Sequence, residues 1–164
     1  LGLVGSEMCI RDRHNAEMRF NMLNVGSLNE GIVLDHIKAG KSMSIYKYLG
    51  LDKLDCQVAI IKNARSNKMG RKDIIKIEGS LDLVDLDILG FIDHDITVNI
   101  IKDGVIYEKK DLKLPKLIRN VIRCKNPRCI TSIEQELEQI FFLADKENEV
   151  YRCKYCEEKY NPSL

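Results

Sequence analysis

Cysteine spacing constrains this chain more than any other feature. Cys124-Lys-Asn-Pro-Arg-Cys129 and Cys153-Lys-Tyr-Cys156 form C-x4-C and C-x2-C knuckles with 23 residues between them. Two such knuckles present four soft thiolates to one Zn²⁺ in a tetrahedron. Four protein ligands close the coordination sphere, so the ion is expected to hold a fold together rather than to do chemistry. The competing pattern is a pair of disulfides, which belongs to oxidising compartments. The first residues lack the basic front of an export signal, so zinc is the expected occupant.

The chain has 164 residues and a formal net charge of +1, enough for one ordinary domain or two small ones. Near-neutrality removes the simplest argument for a nucleic-acid or membrane-surface partner. No apolar run approaches the ~20 residues of a membrane-spanning helix. Beyond the four knuckle cysteines, Cys9 and Cys56 show no pairing pattern, and Cys56 reads as a small core residue. Residues 1–21 do not match the rest in character and are expected to be a non-native leader, disordered or weakly helical. Met22 is the preferred start and Met18 the second choice.

From Met22 onward, periodicity alternates between strand and helix. Gly31–Ile37 is a β-branched run and reads as a strand. Met43, Tyr46 and Leu49 fall at helical spacing, with Gly50 as the stop. Gln57–Ala64 and Asp73–Glu78 read as strands joined by a basic loop, Arg65–Lys72. Leu83, Leu86 and Leu89, with Asp82 ahead and Gly90 behind, predict a short helix. Ile96–Ile101 and Val105–Tyr107 flank Asp103-Gly104, a two-residue hairpin signal. Strand, helix, strand, strand, helix, strand, plus a hairpin extension, is the order of a ferredoxin-like, split βαβ, α+β sandwich. Leu114-Pro115 marks a boundary between 22–115 and 116–164. The second unit, with strand candidates at 120–123, 141–144 and 150–153, is an expected all-β zinc-ribbon-like domain. Fewer than fifty residues make a small core, so metal is expected to supply much of its stability.

No catalytic constellation emerges. His14, His36 and His94 have no nucleophile or metal-ligand spacing beside them, and glycine-rich phosphate loops are absent. Asp82, Asp85 and Asp87 suit a solvated helix face. No enzymatic activity is expected. Lys72 and Lys76, at i and i+4, point to one face of a strand, and Lys109 and Lys110 follow the hairpin. With Asp35 they could grip a nucleotide, lysines on phosphates and a carboxylate on ribose hydroxyls; scattered surface lysines are the plainer reading. A free-standing zinc-ribbon adaptor for nucleic acid is the rival function. Residues 117–164 carry eight Lys/Arg against eight Asp/Glu, too balanced for a phosphate-backbone binder.

Asp35-His36-Ile37, Met69-Gly-Arg-Lys-Asp-Ile-Ile-Lys-Ile-Glu78, Thr97-Val-Asn99, Leu114-Pro115 and the cysteine set, in that order, resemble the regulatory chains of aspartate carbamoyltransferase. The resemblance runs from about Met22 to Tyr160. It implies a non-catalytic, cytoplasmic subunit of pyrimidine biosynthesis, with a nucleotide-binding allosteric domain (22–115) and a zinc domain (116–164). In that family regulatory chains pair through their sheets, and zinc domains dock on catalytic chains. CTP and UTP typically inhibit, and ATP activates. Carried over, Asp35 binds ribose with His36 near the phosphates. Lys76 reaches ribose and base, and Lys109 the triphosphate. Asn99 and Lys72 line the pocket, while Val25, Leu28 and Gly104 contact the base. Asn126 and Arg128 touch the catalytic chain, and Cys124, Cys129, Cys153 and Cys156 hold one Zn²⁺. No nucleic acid or membrane partner is implied. Asn29-Glu30 and Asp111 depart from the basic residues of the family pattern, which weakens the case for a second, metal-bridged nucleotide. Glu158 could alter pairing with the catalytic chain.

Overall fold

The computed structural model describes residues 27–160; the expected leader 1–21 and Val25 lie outside them. The larger sheet is built from β1 (Gly31–Lys38), β2 (Val58–Ser66), β3 (Gly70–Glu78), β4 (Thr97–Lys102) and β5 (Val105–Asp111). Its order is β2-β3-β1-β4-β5, antiparallel throughout. The two βαβ units interleave, with β3 between β1 and β2 and with β1 between β3 and β4, as the split βαβ order predicts.

Helices α1 (Ser42–Tyr48) and α2 (Leu86–Ile92) cover one face. Beneath them, Ile32, Leu34, Ile75, Ile77 and Val98 are fully buried with Ile45 and Leu89. Strand alternation sends the intervening residues to the other face.

Local differences from the periodicity reading have identifiable causes. The buried face of α1 is Ser42 and Ile45, with Tyr46 and the C-cap Leu49 partly packed on the core as expected, whereas Met43 is exposed. The rotation is fixed by Asp73, whose carboxylate accepts from Ser42 Oγ (2.6 Å), Ser42 N–H (3.3 Å) and Gly40 N–H (2.9 Å). A carboxylate from β3 thus occupies the electropositive start of a helix whose own N-cap residue, Lys41, offers no side-chain acceptor. The supposed basic loop 65–72 is mostly strand, because β2 and β3 run on to a turn at residues 67–69. Residues 65–66 end the edge strand β2 and 70–72 begin β3, so the polar composition marks the turn end of a hairpin and not a break in pairing.

Helix α2 starts at Asp85, which caps Asp87 and Ile88, and continues through Gly90. Gly90 is not a stop. A Cβ there would lie 2.4 Å from the Lys113 carbonyl oxygen, so glycine permits the chain to cross against the helix. The expected hairpin is present, with Asp103 and Gly104 both at positive φ (53° and 75°), the signature of a type I′ turn.

The smaller sheet has order β6-β7-β8-β9, from β6 (Leu117–Arg119), β7 (Ile140–Asp145), β8 (Val150–Cys153) and β9 (Lys159–Tyr160). The strand expected at 120–123 lies earlier, at 117–119. Asn120 turns out at φ 57° and exchanges hydrogen bonds with Gln139. A short helix, α3 (Ile130–Ile133), follows Cys129.

The two cores meet at an aromatic contact. Phe91, from α2, sits edge-on to Tyr151 of β8 with ring centroids 5.0 Å apart, and 6.0 Å from Tyr160. The buried Tyr151 hydroxyl donates to the Pro115 carbonyl at 2.7 Å. His94 Nδ1 and Glu149 Oε1, 3.5 Å apart, add a polar link across the same junction.

Candidate metal centre and polar sheet face

Cys124, Cys129, Cys153 and Cys156 place their sulfurs within 4.8 Å of one another. Cys124 and Cys156 Sγ are 3.5 Å apart, Cys129 and Cys153 Sγ 3.8 Å. A tetrahedron with metal–sulfur bonds of about 2.3 Å requires sulfur separations of about 3.8 Å, so the donor set fits a four-coordinate thiophilic ion. The knuckles are shaped from outside. Cys124 N–H donates to Gln139 Oε1, Cys129 N–H to the Asn126 carbonyl, and Cys153 N–H to the Glu158 carbonyl. Thr131 Oγ1 lies 3.1 Å from Cys129 Sγ. Burial pushes the Cys124 thiol up to about 12 and raises Cys153. At Cys129 burial acts the same way, but the Thr131 hydroxyl and N–H outweigh it and bring the thiol to about 7. A bound cation holds such thiols as thiolates, which couples metal affinity to proton release.

On the larger sheet, register brings three of the residues expected at a nucleotide site, Lys76, Asn99 and Lys109, into one row. Ala59, Lys76, Val33, Asn99 and Lys109 pair in turn across β2, β3, β1, β4 and β5. The row lies on the face away from α1 and α2, since its strand neighbours Leu34, Ile75, Ile77 and Val98 fill the core. Asn99 is buried, and its Oδ1 has no hydrogen-bond partner among the described residues. An orphaned acceptor in a row with two lysines is a feature that a polar ligand would satisfy.

Asp35 stands two residues along β1. Lys72 Nζ meets its Oδ1 at 2.7 Å, and the His36 N–H donates to the same oxygen. Burial raises the Asp35 carboxyl, but the Lys72 hydrogen bond and the His36 N–H outweigh it and hold it below the ordinary carboxylate range. His36 adopts φ 63° at a register shift in β1, and its buried Nδ1, 3.6 Å from Asp35 Oδ2, has no hydrogen-bond partner among the described residues.

Leu28 and Lys76 share a cavity of about 480 Å³ with Val58 and Ala59. Gly104 N–H donates to the Asn29 carbonyl, which brings the hairpin beside that segment. Asp35, His36 and Lys72 form a separate cluster and do not line that cavity. Asn126 turns its Oδ1 inward to the Arg128 N–H, whereas Arg128 is exposed.

Two residues that matter were missed. By sequence Asp73 reads only as a strand start, though its parity with Ile75 and Ile77 marks a core position. Phe91 carried no signal, because a single aromatic on a helix does not disclose which core it enters.

Two antiparallel sheets, the larger with lysines on its polar face and the smaller beside four gathered cysteines, define the class: an α+β sheet unit followed by a small all-β unit with a donor set fit for a metal. Residues 23–113 match the model of the aspartate carbamoyltransferase regulatory chain, allosteric domain, and residues 116–163 that of its metal binding domain. A regulatory chain from Clostridium botulinum is 55% identical over 140 residues, 85% of this chain and 95% of the relative. One from Clostridium tetani is 52% identical over 139 residues (85% and 96%), and one from Bifidobacterium longum 44% over 137 (84% and 98%). The chain belongs to the aspartate carbamoyltransferase regulatory chain family, and is a regulatory, non-catalytic subunit. No helix among the described residues is long and apolar enough to cross a membrane.

Proposed function

We propose that this chain binds nucleoside triphosphates on the polar face of its larger sheet and relays their occupancy to catalytic chains docked on its zinc domain. The effectors are CTP, UTP and ATP, the setting is cytoplasmic pyrimidine biosynthesis, and the working form is a regulatory homodimer bridging catalytic trimers. The division of labour is residues 22–115 for the effector and 116–164 for zinc and docking. The observation that carries the reading is the Lys76–Val33–Asn99–Lys109 row with its orphaned Asn99 Oδ1. Lysines at both ends suit a polyanion, and Leu28 with Val58 gives the base an apolar wall. Lys72 neutralises Asp35 in this structure. Phosphates that draw Lys72 away leave Asp35 free to accept two ribose hydroxyls.

Allostery requires that the nucleotide bind two quaternary states unequally, with a typical coupling of ~1–3 kcal/mol. The Phe91–Tyr151 contact gives the effector sheet a packed route to the metal domain, because a shift of α2 moves a ring seated in the second core. Asn126 and Arg128 belong to the loop that zinc fixes, so the ion orders the docking surface as well as the fold. The test is to mix the purified chain with catalytic trimers. A larger complex whose carbamoyl transfer responds to CTP or ATP is expected. Assembly without any nucleotide response overturns the effector assignment, and no assembly overturns the docking assignment.

A further inference from the structure

One histidine sits where the two domains meet, and neither site uses it. His94 follows α2 and places its two ring nitrogens against two carboxylates. Nδ1 lies 3.5 Å from Glu149 Oε1 across the junction, and Nε2 lies 3.8 Å from Asp95 Oδ1 in its own domain. A neutral imidazole carries one N–H and one lone pair, so it can donate to only one of the two acceptors. The imidazolium donates from both nitrogens. The arrangement therefore suits the charged ring, which alone bridges the domains while keeping Asp95.

Both halves of the contact are held in place. Asp95 N–H donates to Asp93 Oδ1 at 3.0 Å, and Asp93 Oδ2 lies 3.7 Å from Lys38 Nζ on β1. Opposite, Glu149 ends a turn in which the Asp145 carboxylate accepts from Glu147 N–H, Asn148 N–H and Asn148 Nδ2. His94 stands three residues from Phe91, and Glu149 two from Tyr151, so the polar pair flanks the aromatic contact. The linker is fastened at the same place. Tyr151 hydroxyl donates to the Pro115 carbonyl, and the Lys113 carbonyl lies against Gly90.

We infer that His94 and Glu149 form a proton-operated clasp between the two domains, closed when the ring is doubly protonated and slack when it is not. Other charges border the pair. Asp87 of α2, together with Glu149, bears on the Tyr151 hydroxyl, and Asp145, Arg152 and Lys159 share a cleft with Glu149. None of these, nor Asp93, Asp95 or Lys38, is of a type that changes charge between about pH 5.5 and 8, the range in which histidine does. The clasp is therefore present at the acidic end of that range and is lost as pH rises through it. It belongs to the chain alone, and goes beyond the relay proposed above without resting on it.

The experiment is limited trypsin digestion of the metal-loaded full chain at pH 6 and pH 8. Cleavage after Lys113 and Lys116 is read by mass and divided by the rate for an unfolded peptide of residues 109–120 at the same pH. Because the linker is fastened to the junction, cleavage there tracks how often the junction opens. An exposed ion pair supports a change of about two- to fivefold. Normalised cleavage in wild type is expected to rise by that factor from pH 6 to pH 8. In His94→Asn and Glu149→Gln it should stay near the faster level at both pH values. The two side chains are 39% and 47% exposed, so both variants should keep the wild-type zinc content and circular dichroism. No rise in wild type, or a rise that survives in either variant, overturns the clasp. So does a rise shared equally by cleavage after Lys62 in β2, which would place the pH effect inside the larger domain.

Discussion

Replacing Asp73 tests how the larger sheet orients its first helix. The carboxylate is fully buried and accepts from Ser42 Oγ, Gly40 N–H, Ser42 N–H and, on its other oxygen, Asn63 N–H. Charge-assisted bonds contribute roughly 1.5–3 kcal/mol each and leave stranded donors when broken. Shared donors make the set non-additive, so Asp73→Ala is expected to cost about 4 kcal/mol and Asp73→Asn, which keeps one acceptor, about 2. With a urea dependence of ~1.5–2 kcal/mol/M, these become midpoint shifts of roughly 2–3 M and about 1 M. Urea unfolding of the metal-loaded chain, with hydrogen exchange of residues 40–48 to localise the loss, measures both. Burial raises the Asp73 carboxyl, but the Ser42 hydroxyl and the Asn63, Gly40 and Ser42 N–H groups outweigh it and leave it below the ordinary 3.8. Its stabilisation is therefore complete above about pH 5 and disappears as pH falls through the depressed folded value. The gap between wild type and Asp73→Asn should close on acidification below about pH 4. A midpoint unchanged in Asp73→Ala, or a gap that widens in acid, would refute the remote-cap argument.

Other substitutions separate the two sites. Lys76→Ala and Lys109→Ala should each weaken triphosphate binding by roughly ten- to a hundredfold by calorimetry, with assembly on catalytic trimers intact; loss of assembly would contradict the division of labour. Cys129→Ala should abolish zinc retention, read by elemental analysis, and deprotect residues 117–160 to hydrogen exchange. Normal zinc content in that variant would sink the four-thiolate centre. Gly90→Ala drives a methyl group toward the Lys113 carbonyl and should lower stability by about 1–3 kcal/mol, whereas an unchanged melting temperature would show that the crossing yields.

Much of this architecture is written into local pattern. The cysteine spacing specifies a metal knuckle pair, because the ligand atoms must converge whatever surrounds them. The Asp103-Gly104 turn was legible because few residue pairs tolerate positive φ at two successive positions. The order of strands and helices followed from period alone. Register did not: that Lys76, Asn99 and Lys109 share one row depends on pairing across strands far apart in sequence. The extent of β2 and β3 was hidden because polar residues at the turn end of a hairpin look like a loop. Asp73 was hidden because an ionised group at a core position departs from the hydrophobic alternation on which strand reading rests. The expected residues therefore divide, Leu28 and Lys76 lining one cavity and Asp35, His36 and Lys72 gathering at another place on the face.

Phe91 has a bearing on how such proteins change and how they can be recombined. Its ring completes the packing around Tyr151 and Tyr160, so a cut at Pro115 severs the backbone between modules but not their side-chain fit. A hybrid that joins the first module of one relative to the second module of another inherits whatever mismatch exists among positions 91, 151 and 160. These three should drift as a group, and a graft that fails at the seam should be rescued by transplanting the aromatic trio with it.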